Sequence, residues 1–441
     1  QGVSSAASDV YKRQATLLAS LVRETPHEAK ALLETEGYFD AQVSVVTEPN
    51  NQFIVKVEPG EPVLIDDVVL SVVGPIRSEP DFQQRFAALL EAWPLPIGAN
   101  YRQDEWDDGK KTVLRLLSID RFPLATITYS RADIDPKTKR SRLEVVVDSG
   151  PRIVFGPLVI QGLQRYPAQI VEGMADFHRG GAYKLQKLFN YQTALEQSPY
   201  FSSVIVSADL QKINDDQVPV MVGVSELPAQ KIELGLSYDT GVGAGARIGY
   251  DHYNIFQRGY TGSILWDWAQ FKQIVSFGLS FPKLSNSYSH SITAAFKKTE
   301  LNSVITTALS AGVWRIRSHG KIEARLGFEY ISNKQQITDQ VPTVTYAFIP
   351  SYGWTRRAVD DLKRPRSGTL VDIKVSGAPG GRLSSTAFVR GYGRGAVYWT
   401  PLAAKWGTWL LRGEVGQVFA RNTDQVPSSL LFLAGGVNSV R

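Results

Sequence analysis

From Lys231 onward, apolar and polar residues alternate in long segments. Ile232, Leu234, Leu236 and Tyr238 interleave with Glu233, Gly235, Ser237 and Asp239. Val275, Phe277, Leu279 and Phe281 do the same, as do Ile322, Ala324, Leu326, Phe328 and Tyr330. Successive residues of a strand face opposite sides, so one face is apolar and the other carries charges, Ser and Gly. A soluble sandwich would also alternate, with its polar face in water. Three features favour an antiparallel membrane barrel instead. The apolar face uses large residues in nearly every segment. The segments approach the ~9–11 residues that a tilted strand needs to cross a bilayer. Aromatics gather near segment ends, as an interfacial girdle requires, and seven of the nine tryptophans (Trp266, Trp268, Trp314, Trp354, Trp399, Trp406, Trp409) fall in this half.

Eleven strands are expected, beginning near Lys231, Ala246, Thr261, Lys272, Ser289, Ser303, Lys321, Val344, Thr369, Ala387 and Thr408. Turn material separates most of them: Tyr238 to Gly243, Pro282 to Asn286, Asp361 to Gly368 and Gly377 to Gly381. Single-chain bacterial barrels have even strand numbers and close on themselves. An odd count therefore implies a barrel that continues past Arg441. The last stretch, Leu430 to Arg441, is an apolar run broken by Gly435 and Gly436 and followed by Asn438, Ser439, Val440 and Arg441. It reads as a loop folded into an interior.

The N-terminal half repeats a unit at a spacing of roughly 80 residues. A helix ends on an aromatic landmark at Gly37-Tyr38-Phe39, at Phe122 and at Tyr200-Phe201. Two strands follow each landmark, and the phrases Glu58 to Ile65 and Asp148 to Phe155 lead into the next unit. Helical spacing marks 29–33, 82–90, 104–117, 167–174 and 185–196. The unit reads β-α-α-β-β: a small sheet with helices on one face and an outer strand able to accept an extended peptide. A set of spacer domains is the plainer alternative. Residues 9–14 resemble the translation of a sequencing-library adaptor, so 1–14 are left out of the fold reasoning. The expected organisation is then a partial first unit over 15–60, a second over 61–149, a third over 150–228 and the barrel over 229–441.

Several function classes are disfavoured. A net charge of +5 over 441 residues is too mild for a dedicated nucleic-acid binder. There is no cysteine, and the five histidines stand apart with no metal-ligand spacing. No phosphate loop and no nucleophile elbow occurs, so neither an enzyme nor a cofactor is expected. No apolar run is long enough for a membrane-crossing helix.

Three such units ahead of this barrel, with Gly60 to Ile65 and the terminal Ala434 to Arg441, resemble the outer-membrane assembly-factor superfamily that includes BamA and TamA. That resemblance covers about residues 15 to 441. It implies polypeptide-transport-associated (POTRA) domains before a sixteen-stranded barrel in a bacterial outer membrane. It further implies a luminal loop carrying Arg441 as a strut. The first strand, with Ile232, Leu234, Gly235, Leu236 and Tyr238, would form a lateral gate. The implied partners are outer-membrane lipid, unfolded client outer-membrane proteins and a large periplasmic protein anchored in the inner membrane. A passive porin, or a superfamily member with a different number of POTRA domains, stays open as an alternative.

Overall fold

The structure is a computed structural model and describes residues 3–47, 52–283, 288–301, 304–337, 340–361, 364–401 and 407–432. The chain divides into two compact units. One comprises residues 1–157, 177–188 and 208–220; the other comprises 158–176, 189–207 and 221–441.

The first module is one long helix, α1 (Val3–Thr35), and an antiparallel pair, β1 (Gln42–Thr47) and β2 (Phe53–Glu58). The helix begins within the adaptor-like stretch and extends well beyond the expected 29–33. Ala, Leu, Lys, Arg and Gln, all strong helix formers, dominate it. It contains Pro26, which cannot donate a backbone hydrogen bond. The hydroxyl of Thr25, the residue before it, donates to the Leu21 carbonyl at 2.7 Å.

The second module follows the expected order: β3 (Leu64–Val73), α2 (Phe82–Glu91), α3 (Gln103–Ser118), β4 (Thr126–Asp135) and β5 (Arg140–Asp148). Its sheet runs β3-β5-β4, with β3 parallel to the central β5. Leu143, Val145 and Val147 of β5 are fully buried under the helices. Each such side chain contributes roughly 1.5–3 kcal/mol through burial. Trp93 and Trp106 meet edge-on at 5.8 Å. Gly109 of α3 leaves room for that pair, since a Cβ there would stand 3.0 Å from the Trp93 ring.

The third module has β6 (Val154–Gln161), α4 (Ala168–Gly173), α5 (Leu185–Glu196), β7 (Phe201–Ala208) and β8 (Gln217–Glu226), with sheet order β6-β8-β7.

An eleven-stranded antiparallel sheet follows. It begins with β9 (Gln230–Asp239), β10 (Gly243–Ile255), β11 (Tyr260–Ala269) and β12 (Lys272–Phe281). It continues with β13 (Tyr288–Leu301), β14 (Val304–His319), β15 (Ile322–Ile337) and β16 (Thr343–Val359). It ends with β17 (Gly368–Ala378), β18 (Phe388–Trp399) and β19 (Trp409–Ala420). Each strand pairs with its chain neighbours, and each starts within three residues of its expected position. Strands β14 to β16 are longer than expected, at 16, 16 and 17 residues. Their extra length lies at the end away from the β10–β11 turn. There Asn333 to Gln336 pair with Ile305 to Ala308, and the apolar alternation lapses. Among the described residues no helix is long and apolar enough to cross a membrane.

The two faces of this sheet differ. Leu236, Trp266, Phe277, Leu309, Phe328, Val375 and Leu411 stand exposed on one face. The other holds ion pairs, Arg247 to Asp267 at 2.9 Å and Arg325 and Arg357 to Glu323 at 3.3 and 3.4 Å. An apolar outer face over a polar inner face is the arrangement a bilayer requires.

Candidate functional site: an open strand edge, an inner brace and a docked module

Strand β9 is bonded along one side only. Its ladder with β10 runs unbroken from Gln230↔His252 to Asp239↔Gly243. Among the described residues no strand lies on its other side. All ten of its residues are exposed, Leu236 at 91%. The expected gate residues Ile232, Leu234, Leu236 and Tyr238 all point to the apolar outer face. Gly235 lies among them but faces inward, opposite Arg247, and the ladder passes it without a bulge. Its backbone freedom leaves no mark on the pairing.

The expected luminal motif, Gly435, Gly436, Asn438, Ser439, Val440 and Arg441, lies outside the described residues. The chain leading to it folds back onto the inner face of the sheet. Two 3₁₀ turns, Thr423–Gln425 and Ser428–Leu430, carry it there. Val426 packs in a small cluster with Ile331, Ile349 and Phe388. The Asn333 amide donates to the Ser428 and Ser429 hydroxyls at 3.3 and 3.4 Å. Arg390 braces the end of the segment. Its Nε donates to the Leu430 carbonyl at 2.9 Å, and its guanidinium lies 4.3 Å from the Phe432 ring centre. Phe432 stacks on Tyr392 at 6.0 Å and covers Gly416, where a Cβ would clash with its ring. Sequence reasoning missed Arg390. It sits in a Gly-rich strand, and nothing local distinguishes it from Arg394.

The third contact docks module residues onto the sheet within the second unit. The side chain of Glu226, at the end of β8, is 4% exposed. Its Oε1 accepts the backbone N–H groups of Gln164, Arg165 and Tyr166 at 2.8, 2.9 and 3.3 Å. Its Oε2 accepts from Arg165 Nε at 2.9 Å. Burial alone would raise the Glu226 carboxyl, but these donors outweigh it and hold the group below its ordinary range. Asn254 Nδ2 donates to the Arg165 carbonyl at 2.8 Å, and its Oδ1 accepts from Gly259 N at 2.9 Å. The Tyr200 hydroxyl donates to the Gly259 carbonyl at 2.8 Å. Burial pushes the Tyr200 phenol up, so it stays a neutral donor. Phe256, Gln257 and Gly259 form a tight turn at positive φ, and Ile170 packs flush on Gly259. Tyr200 stood out in the sequence as a repeat landmark. Its partner at Gly259 lies 59 residues away and gave no signal.

The fold, an alternating sheet with an apolar outer face behind small α+β modules, fits one family model. Residues 226–441 form an Omp85 superfamily domain. The structure is also similar to BamA from Haemophilus ducreyi lacking POTRA domains 1–3. That match has a TM-score of 0.63 and 15% identity, covering 86% of this chain and 75% of that one. CdiB from Acinetobacter baumannii matches at a TM-score of 0.44 and 14% identity, over 87% and 73%. CdiB from Escherichia coli matches at 0.45 and 11%, over 93% and 76%. The protein is thus an outer-membrane protein with periplasmic POTRA domains. Omp85 superfamily members are assembly and transport factors rather than enzymes. The end of the sheet at Gly259, where POTRA residues dock, is the periplasmic end.

Proposed function

We propose that this protein inserts or secretes client outer-membrane proteins, autotransporter-like chains among them, by lending them strand edges. The observation that carries the reading is the alternating sheet, apolar outside and polar inside, behind POTRA-like modules, with β9 as the first strand that the resemblance makes a gate. An unpaired edge in a bilayer leaves backbone N–H and C=O groups without water, so an incoming strand is the partner it can use. The POTRA edges offer the same chemistry in the periplasm. Strand β4 is unpaired beyond Thr126 to Asp135 on its outer side and exposes Tyr129. A client would pair first at such an edge, then transfer to β9 and fold outward into the membrane. Arg390 and the 423–432 segment would hold the inner face closed meanwhile, a role we also assign to Arg441. Three POTRA-like modules favour a TamA-like member, working with a TamB-like periplasmic protein anchored in the inner membrane.

A photoreactive amino acid at Leu236, on the edge, should capture an unfolded client barrel protein during insertion into vesicles. The same probe at Leu326, on a strand bonded on both sides, should not. Equal capture at both positions would discard the edge as the site of transfer.

A further inference from the structure

At the periplasmic end of the sheet, on its outer face, lies a cleft of about 600 Å³. Ile170, Arg258, Tyr260, Phe281, Tyr288 and His290 are among its lining residues. All of them belong to the second compact unit. Its walls are largely apolar and aromatic. Tyr260 and Phe281 meet edge-on at 4.8 Å. The strand beside it adds two cations. Arg315 and Arg317 lie opposite His290 and Tyr288 in the β13–β14 ladder. Their guanidinium carbons stand 3.9 and 5.4 Å from the Tyr288 ring centre.

These arginines are on the lipid side. Leu309, Val313, Arg315 and Arg317 share one face of β14, and Leu309 and Val313 are exposed members of the apolar outer surface. Among the described residues neither arginine, nor Arg258, meets a carboxylate within ion-pair distance. By contrast, Arg247, Arg325 and Arg357 lie on the inner face against Asp267 or Glu323. An unpaired guanidinium at the edge of a bilayer seeks an anion, and the one anion the bilayer itself supplies there is the lipid phosphate. Arginine's planar fork suits phosphate oxygens. Basic pockets at the membrane surface hold lipid headgroups on the same terms.

From this we infer that the cleft is a binding site for one phospholipid of the periplasmic leaflet. The phosphate is held by Arg315 and Arg317, with Arg258 across the cleft. One acyl chain lies along Phe281 and Ile292. The other enters beside Tyr260 and Ile170. Because Ile170 also packs on Gly259, the lipid completes the seat of the third POTRA domain on the barrel. The site needs no client, so its test is independent of the assembly reading.

The test is native mass spectrometry of the full chain in a maltoside detergent, titrated with dioleoylphosphatidylglycerol. Wild type should retain a lipid adduct that survives detergent removal. Arg315→Gln/Arg317→Gln should weaken retention at least about tenfold, the loss expected when charge-assisted forks are removed. Arg382→Gln, on the loop at the opposite end of the sheet, should leave it unchanged. Gln169→Trp, at an exposed position lining the cleft, should also lower retention by filling it, which keeps the test open if the double variant fails to fold. Equal retention by wild type and both cleft variants would overturn the site. Displacement of the lipid by inorganic phosphate alone would show an anion site rather than a lipid site, and would overturn it too.

Discussion

Strands β5 and β15 carry the same pattern and bury opposite things. In β5, Leu143, Val145 and Val147 are 0–1% exposed beneath the helices of the second module. In β15, Leu326, Phe328 and Tyr330 are 52, 46 and 39% exposed. Period-two alternation states that two faces differ and leaves open which of them meets solvent. The helices α2 and α3 decide it for β5. Among the described residues no element covers the apolar face of β15, and hydrocarbon takes the place of a helix layer. A POTRA domain is held together by water's exclusion from its core, the barrel by lipid's exclusion of its backbone.

The sharpest break of this comparison is a reciprocal lysine exchange. Leu143→Lys buries an unpaired cation in a packed core and should cost more than about 4 kcal/mol, enough to unfold the second module. Urea melts followed by Trp93 and Trp106 fluorescence would read it. Phe328→Lys places the same charge in lipid and should cost about 2–4 kcal/mol near the bilayer centre. Its deficit should appear in folding into vesicles and be absent from the module's urea melt. If Phe328→Lys instead destabilised the module's melt as well, the division between the two kinds of strand would be wrong.

A smaller effect tests where the two kinds of strand meet. Gly259→Val forces a branched residue to positive φ and drives its Cβ into Ile170. Strain of this kind costs about 1–3 kcal/mol. Trypsin should then cut faster at Arg165, which Glu226 otherwise ties down. An unchanged cleavage rate would mean that the turn does not hold the module.

The smallest expected effect is electrostatic. The Glu226 carboxyl lies below the ordinary value of 4.5 when folded, so its contribution is present above that pH. It is lost as pH falls through the lower folded value. Glu226→Gln keeps an acceptor oxygen and removes the charge, at a cost of about 1–2 kcal/mol. The variant should resemble wild type in strong acid and fall below it near neutrality. A constant difference between the two across that range would assign Glu226 a packing role instead.

Much of the fold was legible in the sequence because it rests on local periodicity. The start of each barrel strand, the α5 helix and the β-α-α-β-β order follow from spacing and turn residues. The sequence missed the extent of α1, since residues 1–14 read as a suspected foreign leader and helical spacing was found only at 29–33. The site was legible in part. Ile232, Leu234, Leu236 and Tyr238 were readable as one face of the first strand, but which strand it bonds is a matter of pairing in space, which a strand's own residues do not encode. Glu226, Asn254 and Gly259 were invisible for a related reason. Each is an ordinary polar or turn residue, and its role comes from partners distant in the chain.

What the sequence determined by itself was therefore the pattern of faces: where strands and helices run, and which side of each is apolar. The tertiary structure decided what each apolar face meets, helix or lipid. It also decided that Arg390 braces the inner segment and that, among the described residues, Arg315 and Arg317 meet no carboxylate on the outer face. Periodicity is a property of neighbours along the chain, whereas burial and charge pairing are properties of neighbours in space.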